Sequence, residues 1–267
     1  MVALASILVE YSRTRFVNST ITGNSGSEKR INTVLGRFGG GVYVSFQAGV
    51  LILNSTISGN SADFDGGLYI SDEYSGATVT HFTVTGNTAT SQGGGVFAGY
   101  NLELNRTILS GNSAPAAREV YVSDRVDLKV GNFNIFGFNG SSGVEGFSPG
   151  ITDIVPSQAL SEILDTGLAS NDGPSRTQAL VGGSPAIDII ANGTCPSPAK
   201  DQRGVSRSQD GNWDGGRPVR LARLSGPSLY DDPERDVCQG SAGTDSGIAC
   251  EQKIYAVAAL RRAIRRG

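Results

Sequence analysis

The sequence predicts an all-β fold, a parallel β-helix (solenoid) with a loop-rich C-terminal cap. Three observations carry that expectation. The phrase "NSTITGN" at 18–24 returns as "NSTISGN" at 54–60, then as echoes at 81–87 and 105–112. A second phrase alternates with it: "GGGVYV" at 39–44, "GGLYI" at 66–70, "GGGVF" at 93–97 and a decayed "EVYV" at 119–122. No helical periodicity separates them. A repeat of 20–50 residues marks a solenoid or an array. Short β-branched runs bounded by Gly and Asn make the unit a set of strands.

The composition agrees. Glycine accounts for 37 of 267 residues, about twice the ~7% of ordinary usage. Charged residues are 18%, below the ~25% of a typical globular protein. The net charge of −3 and a fair apolar content exclude a disordered chain. Residues 1–216 carry 13 basic against 19 acidic side chains, and residues 217–267 carry 9 against 6. The body therefore has no nucleic-acid footprint. No run approaches the length of a membrane span. The opening "MVALASILVEYS" lacks a basic region and holds Glu10, so it does not read as a signal peptide.

Along the chain, "LASILVEYSRTRFV" (4–17) is strand material from an early turn. The repeats follow, aligned on Thr20-Ile21, Thr56-Ile57, Thr83-Val84 and Thr107-Ile108. Each closes on an Asn: Asn24, Asn60, Asn87 and Asn112, spaced 36, 27 and 25 apart. From each closing Asn to the next aliphatic residue the gap is 18, then 8, 9 and 8. The first unit thus holds an insertion of about ten residues, in or near "GSEKRINTVLGR". Stacked turns rise by about 4.8 Å, the spacing of strands in a sheet.

Stacking gives the repeated amides a purpose. A buried Asn can bond the equivalent Asn of the next turn, satisfying its donors and acceptor in a ladder. Two ladders are expected: Asn18, Asn54, His81 and Asn105, and Asn24, Asn60, Asn87 and Asn112. Alternation places Leu51, Leu53 and Ile57, or Val42 and Val44, inside the coil. "VDLKVGNFNIFGFNG" (126–140) reads as a last, degenerate rung. The repeats span residues 1–149, about five turns. Because repeats begin at once, the chain is expected to be shortened at its N-terminus from a longer, exported protein. The cap spans 150–216, and 217–267 is expected to be an irregular or disordered tail.

Within the cap, "GLASNDGPSRTQALVGGSPAID" (167–188), Cys195 and "DQRGVSR" (201–207) resemble the conserved block of the choice-of-anchor Q proteins. The preceding repeats are similar to those of polymorphic outer-membrane-type proteins. The resemblance covers residues 12–216 and is most specific over 167–207. It implies a right-handed parallel β-helix of a bacterial surface or secreted protein. The family continues with a Cys-Asp-Ile-Gly-Ala-aromatic-Glu strand, whereas this chain has "RPVRLARLSG" after Gly216. That departure predicts a reading-frame shift near Gly216. The pairing of Cys195, Cys238 and Cys250 stays open.

No residue is assigned a catalytic role. His81 could be a general base, but its place in the Asn column favours a structural part, and no nucleophile elbow accompanies it. Asp63, Asp65, Asp72 and Glu73 cluster in one turn without matching carboxylates in adjacent turns, so a solvated loop is favoured over a lyase or hydrolase groove. Asp210, Asn212 and Asp214 match positions of a calcium loop, with Leu221 where a bidentate Glu is expected. Calcium is the one cofactor this pattern offers, the alternative being a plain polar turn. Asn18, Asn54, Asn105, Asn139 and Asn192 begin glycosylation triplets, the first three already explained by the ladder. Asp188, Asp201 and Arg203 are expected to form an Arg–carboxylate fork that pins the cap onto the last coil. The tail segment 253–267 could form a basic amphipathic helix.

The expected function is a monomeric, secreted or surface-displayed structural or adhesive module, without enzymatic activity, whose partner is a carbohydrate or protein. The alternative is a carbohydrate-active β-helix enzyme acting on acidic polysaccharide. A stacked patch of Asp, Glu, Arg and Lys on neighbouring turns distinguishes the two.

Overall fold

The phrase repeats because each copy lies on the last. In the computed structural model, which describes residues 4–5, 7–31, 34–71, 74–124, 126–190 and 200–207, the strands form three parallel walls. The first wall stacks Ile7–Glu10, Val42–Ser45, Leu68–Ile70, Val96–Ala98, Val120–Val122 and Val144–Glu145. The second stacks Arg13–Val17, Gly49–Leu53, Gly76–Thr80, Asn101–Asn105 and Leu128–Val130. The third stacks Thr20–Thr22, Thr56–Ser58, Thr83–Thr85, Ile108–Leu109 and Ile135–Phe136. A narrow fourth ladder holds Leu4–Ala5, Asn24–Ser25, Ser61–Ala62 and Thr88–Ala89. This is a parallel β-solenoid. Six strands in the first wall and five in each of the second and third correspond to about four to five full circuits. The sole helical element among the described residues is the 3-10 turn Leu160–Glu162.

The core is a bundle of columns. Val42, Leu68, Val96 and Val120 are in register in the first wall. Val50, Ala77 and Leu102 match in the second, and Ile21, Ile57, Val84, Leu109 and Phe136 in the third. All are buried in one cluster. The expected orientation of Val42, Val44 and Ile57 is met. Leu51 and Leu53 instead face outward, and Val50 and Ile52 fill the interior. The run "VLIL" has no alternation to read. In addition, Asn54 turns the corner at a positive φ of 53°, which shifts the phase between Ile52 and Ile57.

The insertion of the first unit is an antiparallel hairpin, Ser27–Ile31 paired with Val34–Phe38. Its last residue, Phe38, stacks on Phe64 at 4.8 Å and meets Tyr69 edge-on at 5.3 Å. Tyr69 belongs to an outward column, Tyr43, Tyr69, Phe97 and Tyr121, stacked at 5.3, 4.7 and 5.1 Å. The insertion therefore covers part of the first wall's exterior and leaves Tyr43 and Tyr69 buried.

The C-terminal block is placed differently from the expected end cap. Residues 131–156 finish the last rung, with Ile154 bridging Ile135 and Asp153 Oδ1 accepting the Asn134 side-chain amide at 3.0 Å. The chain then runs back along the third wall. Ile163, Leu164, Leu180 and Ala186 cluster with Ile108 and Ile135, which face outward from that wall. Further on, the Gln202 side chain bonds Thr56, Thr20 and the Ser19 carbonyl at 2.9, 2.9 and 3.1 Å. The block is a lateral strap over the third wall, and it belongs to the same compact unit as the coil. Its physical cause is the column Thr20, Thr56, Thr83, Ile108, Ile135. That outward column grows apolar toward the C-terminus and would otherwise be left in water.

The register makes a direct prediction. Ile57→Ala should cost about 2–5 kcal/mol in chemical denaturation, whereas Leu51→Ala should cost under about 1 kcal/mol. Equal losses would contradict the assigned faces.

Candidate functional site

Three places merit chemical attention: the ladder of closing asparagines, the corner at His81, and the open exterior of the second wall.

The closing asparagines bond as a continuous chain. Each side-chain N–H donates to the next Oδ1: Asn24 to Asn60 at 3.0 Å, Asn60 to Asn87 at 2.9 Å, and Asn87 to Asn112 at 2.9 Å. Each backbone N–H of Asn24, Asn60 and Asn87 donates to the same acceptor at 3.0 Å. The second amide hydrogen reaches a carbonyl of the preceding turn, Ile21, Ile57 or Val84. Every polar atom of the interior amides is thus used.

The ladder ends on a residue that sequence reasoning missed. Glu119 accepts the Asn112 side-chain amide at 2.6 Å, the Asn112 backbone N–H at 3.3 Å and the Gly111 N–H at 2.9 Å. It occupies the column of Gly41, Gly67 and Gly95. There a Cβ on Gly95 would come within 2.8 Å of the Asn112 amide nitrogen, and one on Gly67 within 2.3 Å of the Gly95 carbonyl. Glycine is required while another Asn follows; on the rung after the last closing Asn a carboxylate takes its place. Burial pushes the Glu119 pKa up to about 7, against the opposing pull of its donors and of Arg118.

The other expected ladder is a corner of mixed chemistry. Asn18, Asn54 and His81 all sit at positive φ, and Asn54 donates to Asn18 Oδ1 at 2.6 Å. The fourth member of the corner is Arg106, with φ 52°. Asn105 pairs one place earlier, opposite Thr80. The Thr-Ile alignment slips by one there, because Ile108 rather than Thr107 is in register with Thr83. Arg207 of the strap is fully buried and donates to Asn54 Oδ1. His81 is fully buried, with Nδ1 3.2 Å from Thr80 Oγ1 and Nε2 without a partner among the described residues. Desolvation, then the charges of Arg207 and Arg106, lower its pKa to about 2. The ring is neutral at any working pH and too weak a base to take a proton from a substrate.

The remaining predicted residues are dispersed. Asp201 and Arg203 do form a fork, with Arg203 Nη2 and Nε at 2.9 and 3.0 Å. It closes a turn within the strap, where Asp201 also accepts the Val205 N–H at 3.0 Å. The pins to the coil include Gln202, Arg207, Ser175 and the carbonyls of Arg176 and Lys200, and they reach early turns rather than the last coil. Asp188 lies in the strap at φ 56°. Asp63 pairs with Arg37 of the hairpin at 3.2 Å. The Arg37 backbone N–H, more than the guanidinium, lowers its pKa. Asp65, expected in a solvated loop, is wholly buried, and desolvation raises its pKa well above the usual carboxylate range. Asp72, Glu73, the calcium-loop residues Asp210, Asn212 and Asp214, the three cysteines and the 217–267 tail lie outside the described residues.

The second wall is the open one. Its outward columns carry Arg13, Gly49, Gly76 and Asn101, and Arg15, Leu51, Thr78, Glu103 and Lys129. They line a shallow trough of about 580 Å³ with Tyr74 at its rim. Arg13, Arg15, Asn101, Glu103 and Lys129 are exposed. Carboxylates are not stacked rung upon rung: Glu103 has Thr78 on one side and Lys129 on the other. Among the described residues no group of three or more His, Cys, Asp and Glu is placed to hold a metal ion, and no helix is long and apolar enough to cross a membrane.

No family model, no curated protein and no solved structure matches the chain.

Two buried titrations give opposite pH signatures. His81 binds its proton in the unfolded chain but not in the folded one, so stability falls as pH drops below about 6.5. Glu119 is protonated in the folded state up to about 7, so stability falls as pH rises from about 4.5 toward 7. Each slope is at most about 1.4 kcal/mol per pH unit. Buried Asp65, its pKa also raised, adds to the Glu119 fall, so the wild-type chain should lose stability as pH rises between about 4.5 and 6.5. Glu119→Gln should flatten that slope, and His81→Asn should steepen it, in urea denaturation across that window. Variants that keep the wild-type slope would contradict the assignment. Separately, Asn87→Ala leaves the Asn60 donors and the Ile57 carbonyl unpaired and should cost about 3 kcal/mol or more.

Proposed function

We propose that this chain is a binding module of an exported bacterial surface or secreted protein, a right-handed parallel β-helix of the choice-of-anchor Q type. Its role is structural and adhesive, and it acts as a monomer. The observation that carries this reading is the division of labour among the walls. The third wall is covered by the strap and the first is partly covered by the hairpin and its stacked aromatics. The second presents exposed charged and polar side chains in register on a stiff scaffold. Recognition on a rigid sheet face needs little ordering on binding, which favours affinity.

The motif "GSPAID…DQRG" supports the family reading through its placement. Both parts of the block touch the early turns: 200–207 through the Lys200 carbonyl, Gln202 and Arg207, and 167–188 through Ser175 and the Arg176 carbonyl. A block that fastens itself along a solenoid suits a module joined to different anchors.

Mixed charges without a stacked acid–base pair on the second wall, and a neutral, buried His81, weigh against the enzymatic alternative. The test is incubation with pectin and with alginate, with and without calcium, in parallel with binding of the labelled chain to bacterial cells and to extracellular-matrix preparations. Saturable binding without release of unsaturated or reducing sugar is expected. Turnover of either polysaccharide would overturn the non-catalytic reading, and absence of binding to every surface would overturn the adhesive one.

A further inference from the structure

The second wall's exterior has a chemistry that selects its occupant. At its first rung stand Arg13 and Arg15, on the same face and exposed, with no hydrogen-bond or ion-pair partner among the described residues. Lys129, four rungs away, is engaged by Asp127 at 3.9 Å. The free positive charge is therefore concentrated at one end of the trough. Guanidinium groups recognise carboxylates in a planar, two-bond fork.

The floor between the ends is bare. Gly49 and Gly76 lie side by side in register. A Cβ at Gly49 would meet nothing nearer than Arg13 Cγ at 3.7 Å, and no positive φ demands glycine there. A strand glycine that neither turn nor packing requires marks a close approach from outside. Around this floor Gln47 and Asn101 offer amides and Thr78 a hydroxyl.

The rim is aromatic. Tyr74, 70% exposed, borders the trough, with Tyr100 6.3 Å away. On the neighbouring turns Tyr11, 73% exposed, stacks on Phe46 at 5.3 Å. Tyr11 and Tyr74 thus keep exposed apolar ring faces along this edge.

A pyranose chain has the matching surface: an apolar ring face, a rim of hydroxyls, and, when oxidised at its terminal carbon, a carboxylate. We propose that the trough on the second wall binds an acidic glycan, its carboxylate on Arg13 and Arg15 and a sugar ring against Tyr74. The two anchors are two rungs apart, about 10 Å, so at least two sugar units are engaged. Glu103, one rung beyond Thr78, disfavours a second carboxylate at the far end and gives the bound chain a direction. The inference rests on the second wall being the recognition face.

The experiment titrates oligogalacturonate, oligoalginate and a neutral malto-oligosaccharide into the full chain by calorimetry, beside Arg13→Ala/Arg15→Ala and Gly49→Val. All three positions face outward, and circular dichroism checks that melting is unchanged; if Gly49→Val melts early, Tyr74→Ala replaces it. Binding of a uronate oligomer is expected, weakened about tenfold or more by either variant and by high salt, with the neutral sugar at least about tenfold weaker. Equal binding of the neutral sugar, uronate binding indifferent to the variants, or no uronate binding would overturn the proposal. If the chain still binds cells while its uronate binding fails these tests, the adhesive reading stands and the glycan assignment falls. If it binds neither cells nor sugars, both fall.

Discussion

The structure depends on the amide ladder from Asn24 to Glu119. Parallel rungs of two to five residues are too short to hold their own register, and a one-residue slip would turn each wall inside out. The ladder removes that freedom. An Asn at the same bend in successive turns accepts two N–H donors and gives two of its own, all within the interior. Buried amides are costly when unpaired, so a slipped register would strand several at once. The apolar columns supply the driving force, and the ladder decides which columns meet.

Everything outside the coil follows from what the columns leave exposed. The third wall's outer column changes from threonine to isoleucine along the chain, and the strap covers it. The first wall's outer tyrosines are met by a hairpin that ends in Phe38. The second wall has polar and charged outer columns that are stable in water. That leaves the outer face of the second wall uncovered among the described residues, and a solenoid can display such a face without distorting its core.

Much of this was legible in the sequence, and the exceptions have identifiable causes. The repeat, the presence of an insertion in its first unit and the closing-Asn column are visible because stacking imposes the same residue at the same bend; the hairpin form of the insertion was not. Asn105 was misplaced because two anchors disagreed: the Thr-Ile pair recurs after 24 residues and the closing Asn after 25. The buried amides, which tolerate no slip, decide the register, and Arg106 takes the corner. Leu51 and Leu53 gave no alternation from which to choose a face. Glu119 looked like decay of a glycine phrase; its position in the glycine column, on the rung after the last closing Asn, was the available signal. The strap's course could not be read, because contacts such as Gln202 to Thr56 span 146 positions and leave no local pattern. The open trough was equally hidden, since its residues come from separate turns.

A double-mutant cycle between Asn60 and Asn112 addresses the ladder most directly. These residues do not bond each other; both bond Asn87. If the amides act as one connected chain, the combined Asn60→Ala and Asn112→Ala loss should differ from the sum of the single losses by about 1 kcal/mol or more. Additivity within about 0.5 kcal/mol would show that the rungs are held independently, and the ladder would then not be what sets the register.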